Sequence, residues 1–309
     1  MRSLVTGGAG FIGSHVSDAL LAQGHGVLVV DDLSHGKREQ VSPAAQFAQA
    51  DVTSTAGEGV LRDYAPHAVF HLAAQMDVRR SVADPVFDAH VNVEGSLRMA
   101  RAAAKAGASL FVLASTGGAV YGEQERFPAD ESHPLRPASP YGASKASAEI
   151  YVDYFGRAHG MRTVMLRLAN VYGPRQDPHG EAGVVAIFAG KMLRGEPPAV
   201  FGDGAQTRDY VYVGDVVAAH LAALTRENAH GHYNVGTGRE TDVNTLARLV
   251  AELTGYAGKI ERAAAKAGEQ RRSVLDAGRA ARDLEWRPQI GLSEGLRRTV
   301  QWFKERVKT

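Results

Sequence analysis

Thr6-Gly7-Gly8-Ala9-Gly10-Phe11-Ile12-Gly13 stands between an apolar run at 3–6 and a helical pattern at 11–23. Its glycines fit G-x-G-x-x-G through Gly8, Gly10 and Gly13, and G-x-x-G-x-x-G through Gly7, Gly10 and Gly13. The physics is the same in both registers. Glycine permits a tight turn, and a missing side chain lets the backbone approach a pyrophosphate. The following helix offers the anion free N–H groups and the positive end of its dipole. A plain glycine-rich turn has the same composition, but the position between strand and helix favours a phosphate loop.

Outward from this loop, short apolar runs alternate with helical patterns. Strands are expected at 3–6, 27–31, 47–50, 68–73, 110–115 and 164–169, with helices such as 11–23 and 87–107 between them. Apolar runs separated by helices imply right-handed crossovers and a doubly wound α/β fold of Rossmann type, its parallel sheet buried on both faces. Ligands bind such sheets at the carboxyl ends of the strands. Residues 1–170 are read as the dinucleotide-binding domain. From Val171 the rhythm breaks at Pro174, Pro178, Pro197 and Pro198. Residues 171–309 are read as a smaller substrate lobe with helices near 213–224, 243–253 and 292–305. A short strand near 232–236 is expected to rejoin the main sheet.

The 309 residues carry 35 Lys+Arg against 34 Asp+Glu, a net charge of +1. That balance speaks against a nucleic-acid surface, and no apolar run approaches the roughly 20 residues that span a bilayer. With no cysteine, disulfides and thiolate metal sites are excluded. The chain runs straight into its first strand with no secretory leader, so a cytoplasmic protein is expected.

Asp31 ends the second strand, 18 residues after Gly13. A carboxylate there can accept hydrogen bonds from both adenosine-ribose hydroxyls, which favours NAD over NADP. Asp32 adds a second charge that would repel a 2′-phosphate; Lys37 and Arg38 pull the other way. Asp51, after the third strand, is placed either to meet the adenine amino group or to cap a helix.

Tyr141-Gly142-Ala143-Ser144-Lys145 sets a phenol and an ammonium four residues apart, on one helical face. A free tyrosine is a poor base at neutral pH, and a nearby cation favours the phenolate. Ser115-Thr116 closes the strand at 110–115, where Thr116 can hydrogen-bond a sugar oxygen that Tyr141 deprotonates. Gly117 and Gly118 leave room for a ligand.

With these residues placed, the sequence resembles the extended short-chain dehydrogenases/reductases, and among them the UDP-glucose 4-epimerases. The resemblance covers nearly the whole chain. It rests on 7–13, Asp31-Asp32-Leu33, His71-Leu72-Ala73-Ala74, Asn92-Val93-Glu94-Gly95, 115–122, 141–145, Asn170 and Arg208-Asp209-Tyr210. It implies a tightly bound NAD held by Gly7, Gly10, Phe11, Ile12, Gly13, Asp31, Asp32, Leu33, Asp51, Val52, Leu72, Ala73, Ala74, Asn92, Tyr141 and Lys145. It implies Thr116, Tyr141 and Lys145 as the catalytic set. A UDP-sugar would be held by Thr116, Asn170, Ala199, Phe201, Arg208, Lys266 and Glu269. The implied reaction is 4-epimerisation through a transient 4-keto sugar, in a homodimer joined through helices near 87–107 and 144–158.

Two departures from the family stand out. Lys266 replaces the usual second diphosphate-binding arginine, which keeps the charge but loses the bidentate fork. Ser273 is small where bulk restricts N-acetylated sugars, which leaves those open as substrates. The rival readings are a 4,6-dehydratase, a UDP-glucuronate decarboxylase or 4-epimerase, and a non-catalytic redox sensor on the same fold. Dehydratases and decarboxylases need a carboxylate just after the active-site threonine, and here Gly117-Gly118 follows. His67 and His71 are expected to be structural, with no metal bound. Met161, Met165, Tyr151, Tyr154 and Phe155 are expected to pack in the core or between helices.

Overall fold

A computed structural model describes residues 1–178, 183–265 and 270–307. Among these, thirteen strands form three sheets. They run β1 (Arg2–Thr6), β2 (Gly26–Asp31), β3 (Gln46–Gln49), β4 (Ala68–His71), β5 (Leu110–Thr116), β6 (Arg162–Leu168) and β7 (Asn170–Tyr172). There follow β8 (Ala199–Phe201), β9 (Thr207–Tyr212), β10 (Gly231–Val235), β11 (Glu240–Asp242), β12 (Glu261–Ala263) and β13 (Arg272–Ser273).

The main sheet is parallel throughout, in the order β3-β2-β1-β4-β5-β6-β10. The order reverses between β1 and β4, so the crevice of a doubly wound sheet opens above their carboxyl ends. The six strands expected from apolar runs all form, and β10 joins the sheet beside β6 as expected. Strand β4 stops at His71, short of the expected 73. Beyond it Leu72 and Ala73 turn back, their amides donating to the Thr6 hydroxyl at 3.2 and 3.3 Å.

Each face of this sheet is covered. On one side the helix Phe11–Ala22 packs with Val213–Thr225 and Gly278–Asp283, burying Val16, Leu20, Val216, Ala219 and Ala280 against Val5, Phe70 and Val112. The helix Val213–Thr225, expected in the substrate lobe, thus belongs to the main sheet's packing. On the other side Thr55–Tyr64, Gly95–Lys105 and Pro140–His159 bury Leu61, Met99, Ala103, Ala148 and Val152 against Leu4, Val69 and Phe111. A separate apolar cluster holds the helices Val184–Leu193, Val243–Thr254 and Leu292–Val307 around Tyr172 and Tyr210.

The helix expected at 87–107 is not continuous. It starts as Pro85–Ala89, widens through one π-helical turn at His90–Glu94, and resumes at Gly95–Lys105. Such a turn re-aims side chains and commonly marks a functional position; here it contains Asn92. Met161, Met165 and Phe155 pack in or against the core as expected. Tyr151 and Tyr154 do not: both are exposed, beside Ile150, on the outer face of Pro140–His159. Among the described residues no helix is long and apolar enough to cross a membrane.

Candidate active site

The glycine loop after β1 enters the helix Phe11–Ala22 with Gly10 as its N-cap. No side chain caps this end and no acidic residue occupies its first turn. The amides of Phe11, Ile12 and Gly13 are therefore open to an incoming anion. Gly7 has φ +66°, and a Cβ there would stand 2.6 Å from the Ala73 nitrogen. A Cβ on Gly13 would overlap the Gly7 carbonyl. Only glycine lets the loop, the helix and the chain after β4 approach this closely.

Asp31 is buried at the end of β2, and its two carboxylate oxygens accept from the Ala9 and Leu33 amides, both at 2.9 Å. It thereby ties β2 to the glycine loop. Burial pushes its carboxyl above the ordinary value, and the two amide bonds oppose that shift. Each oxygen keeps a further lone pair for a ribose hydroxyl. Leu33 turns away with φ +62°, and Asp32 is exposed and accepts from the Ser34 amide and hydroxyl. Arg38, read as a possible 2′-phosphate partner, instead lies over the Phe47 ring at 4.5 Å. Asp51 is exposed and accepts from the Thr53 amide at 2.8 Å. The N-cap of the next helix is Ser54, not Asp51. Val52 is buried in the core, and Ala74 is partly exposed after Leu72 and Ala73. A bare helix terminus offers donors and the carboxylate at the end of β2 an acceptor, a combination suited to a dinucleotide.

The helix Pro140–His159 starts where Ser139 caps the Gly142 amide and Pro140 presets the first turn, and it stops at Gly160 with φ +66°. Tyr141 and Lys145 lie in its first two turns, with Tyr141 near Thr116 at the end of β5. Burial and the Asp88 carboxylate push the phenol up to about 12, and the nearby Thr116 hydroxyl counters them only in part. Burial thus dominates at the phenol. Burial also lowers Lys145 to about 8, against the opposing pull of Glu149 and Asp88.

Asn92, expected along the dinucleotide, has its amide group committed within the protein. Its Oδ1 accepts from the Gln75 amide, and its Nδ2 donates to the Gln75 carbonyl, Asp88 and Ser144 at 2.9, 3.1 and 3.1 Å. It fastens the chain after β4 to the Tyr141 helix and acts on the groove through Leu72–Gln75. His71 is hydrogen-bonded to Thr6 and Ser96 and held neutral by burial at about 3. His67 accepts from the Arg2 amide.

Toward the substrate side, Asn170 is exposed on β7, with its Oδ1 3.8 Å from where a Cβ on Gly118 would stand. Arg208, half-buried on β9, donates to the Thr207 carbonyl at 2.8 Å. Ala199 and Phe201 begin and end β8, paired with β12. Ser273 is buried on β13 opposite Arg208. Lys266 and Glu269 lie outside the described residues.

Sequence reading missed a buried polar network beneath Tyr141 and Lys145. Glu149 accepts from Arg167 Nη2 at 2.7 Å and Nε at 3.1 Å, and from Ser115 at 2.5 Å. Arg167 also donates to Tyr121, which donates to Asn234 at 2.7 Å. The available signal was Glu149 standing four residues beyond Lys145, the same helical spacing that links Tyr141 to Lys145.

Residues 3–236 match the NAD dependent epimerase/dehydratase family. A UDP-glucose 4-epimerase of Mycolicibacterium smegmatis is 46% identical over 311 residues, covering 99% of both chains. The crystal structure of a UDP-glucose 4-epimerase with UDP-glucose from Thermotoga maritima has a TM-score of 0.97 and 47% identity, covering 99% of this chain and 100% of that one. That of a Thermus thermophilus UDP-glucose 4-epimerase with NAD has a TM-score of 0.94 and 47% identity, covering 98% and 99%.

Proposed function

Because the chain belongs to the NAD dependent epimerase/dehydratase family, we propose that it interconverts UDP-glucose and UDP-galactose by transient oxidation at the sugar C4. The observation that carries this reading is the approach of Thr116, at the end of β5, to the Tyr141 phenol, with Lys145 on the next turn and no acid after Thr116. NAD, when bound, supplies the reversible hydride acceptor for C4.

Tyr141 takes the proton from the C4 hydroxyl through its phenol oxygen and later returns it to the other epimer. Thr116 hydrogen-bonds the same sugar oxygen and fixes its direction. Lys145 offers its ammonium to the developing phenolate, the charge that burial alone would disfavour. The uncharged wall at Gly117 and Gly118 leaves the 4-keto sugar room to turn over. Asn170 and Arg208 hold the diphosphate about which it turns, with Lys266 as a second cation. Ala199 and Phe201 flank the uracil and Glu269 the ribose. Phe11, Ile12 and Gly13 hold the pyrophosphate of the cofactor, Asp31 its adenosine ribose, and Lys145 its other ribose.

A dehydratase or decarboxylase would need an acid next to Thr116. A side chain on Gly117 would meet Leu275 at 2.5 Å, so that position has no room for one. The small Ser273 keeps UDP-N-acetylhexosamines within the range of substrates. The apolar outer face formed by Ile150, Tyr151 and Tyr154, with Val82 and Val86 on the neighbouring helices, supports a homodimer.

The test is NMR of the purified protein with UDP-glucose, UDP-galactose and their N-acetylated analogues, without added NAD. The 4-epimers are expected from the first pair. A 4-keto-6-deoxy product, or no sugar chemistry at all, would overturn the reading.

A further inference from the structure

Asp209 follows Arg208 on β9, so the two side chains leave opposite faces of the strand. Arg208 is half-buried, whereas Asp209 is 1% exposed. The Asp209 Oδ1 accepts from the Thr237 amide at 2.8 Å and from the Thr237 hydroxyl at 2.5 Å. Its Oδ2 accepts from the amides of Gly238 at 3.1 Å and Leu275 at 3.3 Å, and shares the Thr237 amide at 3.1 Å. A buried charge is costly unless donors surround it, and hydrogen bonds to a carboxylate are the strong kind. Here the donors come from two segments distant in sequence and close on one side chain.

Each segment leads to a different part of the site. Thr237 and Gly238 form the turn that leaves β10, at the edge of the main sheet, for β11, which pairs back onto β9. Gly236 precedes that turn, where a Cβ would lie 2.5 Å from Asp209 Oδ2 and 3.3 Å from the Ala169 Cβ. Leu275 follows β13, and its side chain fills the space a Cβ on Gly117 would need, 2.5 Å away. Gly117 adjoins Thr116, and Leu275 shares an apolar cluster with Ala146, the residue after Lys145. On the substrate side, β9 carries Arg208 and pairs with β7, which starts at Asn170, and with β13, which ends at Ser273. One carboxylate thus joins the strand of the proposed diphosphate contact to the wall beside Thr116.

The geometry points to Asp209 as a positioning residue: its carboxylate fixes β9 against the Gly117 wall, and so sets where a sugar held at its diphosphate by Arg208 meets Tyr141 and Thr116. Its part in turnover rests on the epimerase reading; the contacts it holds do not. A sugar that turns over in mid-reaction needs its anchor at a fixed reach from the proton-transfer pair. A misplacement of about 1 Å can cost about a hundredfold in rate even when its source is far from the chemistry. The strength of the anchor itself lies with Arg208, on the other face of the strand.

Asp209→Asn keeps the size of the side chain and one acceptor oxygen. With that oxygen toward Thr237, its NH2 faces the Gly238 and Leu275 amides, donor against donor, and the tie to Leu275 is lost. Amide hydrogen exchange of the purified holoprotein reads this directly. Exchange at Leu275 is expected to rise at least about tenfold, with β1 and β4 unchanged. Activity is counted per bound dinucleotide, so that only folded protein contributes. For UDP-galactose kcat is expected to fall about tenfold, while the inhibition constant of UDP, which lacks the sugar, stays within about threefold. Thr237→Ala removes only the hydroxyl donor and is expected to move exchange and kcat in the same direction by about threefold; it decides the matter should Asp209→Asn not fold. Unchanged exchange at Leu275 overturns the assignment. So does wild-type turnover in a folded variant, or a loss of UDP affinity as steep as the loss of turnover. A wild-type protein that forms no 4-epimer removes the functional reading instead, and the exchange result then stands on its own.

Discussion

Glu149 stands one helical turn beyond Lys145 and grips Arg167 of β6 with both carboxylate oxygens, Nη2 to Oε2 at 2.7 Å and Nε to Oε1 at 3.1 Å. A third donor, the Ser115 hydroxyl, comes from β5. The pair pins the Tyr141 helix to the two strands whose ends carry Thr116 and lead to Asn170. The placement of Tyr141 and Thr116 is thus set from below, by charges buried in the core.

Removing one partner exposes the cost of the other. Glu149→Gln leaves the Arg167 guanidinium buried with a weakened partner, and the fold is expected to lose about 3–5 kcal/mol, measured by urea unfolding at neutral pH. The same group gives an acid dependence. The Arg167 and His232 partners outweigh burial and hold the Glu149 carboxyl down to about 2, from an ordinary 4.5. A depressed carboxyl contributes stability that is present above its unfolded value and lost as pH falls through its folded one. Between about pH 4.5 and 2 the wild type should lose stability through Glu149, and Glu149→Gln should lack that portion of the slope. Equal slopes in the two proteins would contradict the pairing.

Tyr141→Phe removes the hydroxyl that exchanges the C4 proton. Turnover of UDP-galactose is expected to drop at least about a hundredfold, while dinucleotide released on denaturation stays equal to wild type. Full activity in this variant would take Tyr141 out of the mechanism.

Gly117 and Gly118 differ in what they tolerate. A Cβ on Gly117 would lie 2.5 Å from Leu275 Cδ1, whereas one on Gly118 finds its nearest neighbours at 3.8 Å. Gly117→Ala is expected to cost about 1–3 kcal/mol through overpacking, and Gly118→Ala to stay within about 0.5 kcal/mol. Thermal unfolding of the two variants checks the order.

Ile150 and Tyr154, 66% and 55% exposed, belong to an apolar stripe that a lone chain would leave in water. Ile150→Glu is expected to shift light-scattering mass from two chains to one. An unchanged dimer would place the interface elsewhere.

Much of this site was legible along the chain because it depends on local spacing. The Gly7–Gly13 run, Asp31 at the end of the second apolar run and the Tyr141–Lys145 step are short-range patterns, and the fold keeps them. The charged residues of the core were not legible. Nothing in the sequence marks Asp88, Glu149 and Arg167 as buried, since sequence spacing says which residues share a helical face but not what covers it. Tyr151 and Tyr154 failed in the opposite sense: aromatic residues on a helix suggested packing, yet the sheet takes the face of Ala148 and Val152. Asn92 was found, but the π-helical turn gives its amide to Gln75, Asp88 and Ser144 within the protein.

The sequence by itself determined the parallel sheet, the phosphate loop at its first turn and the chemical types brought to the proton transfer. Only the tertiary structure decided their ionisation. A phenol at about 12 and an ammonium at about 8 are products of burial and of Asp88, Glu149 and Thr116, which reach the pair across the fold. Covalent spacing sets distances within a turn of helix, whereas dielectric and field at a group are set by whatever distant segments pack around it.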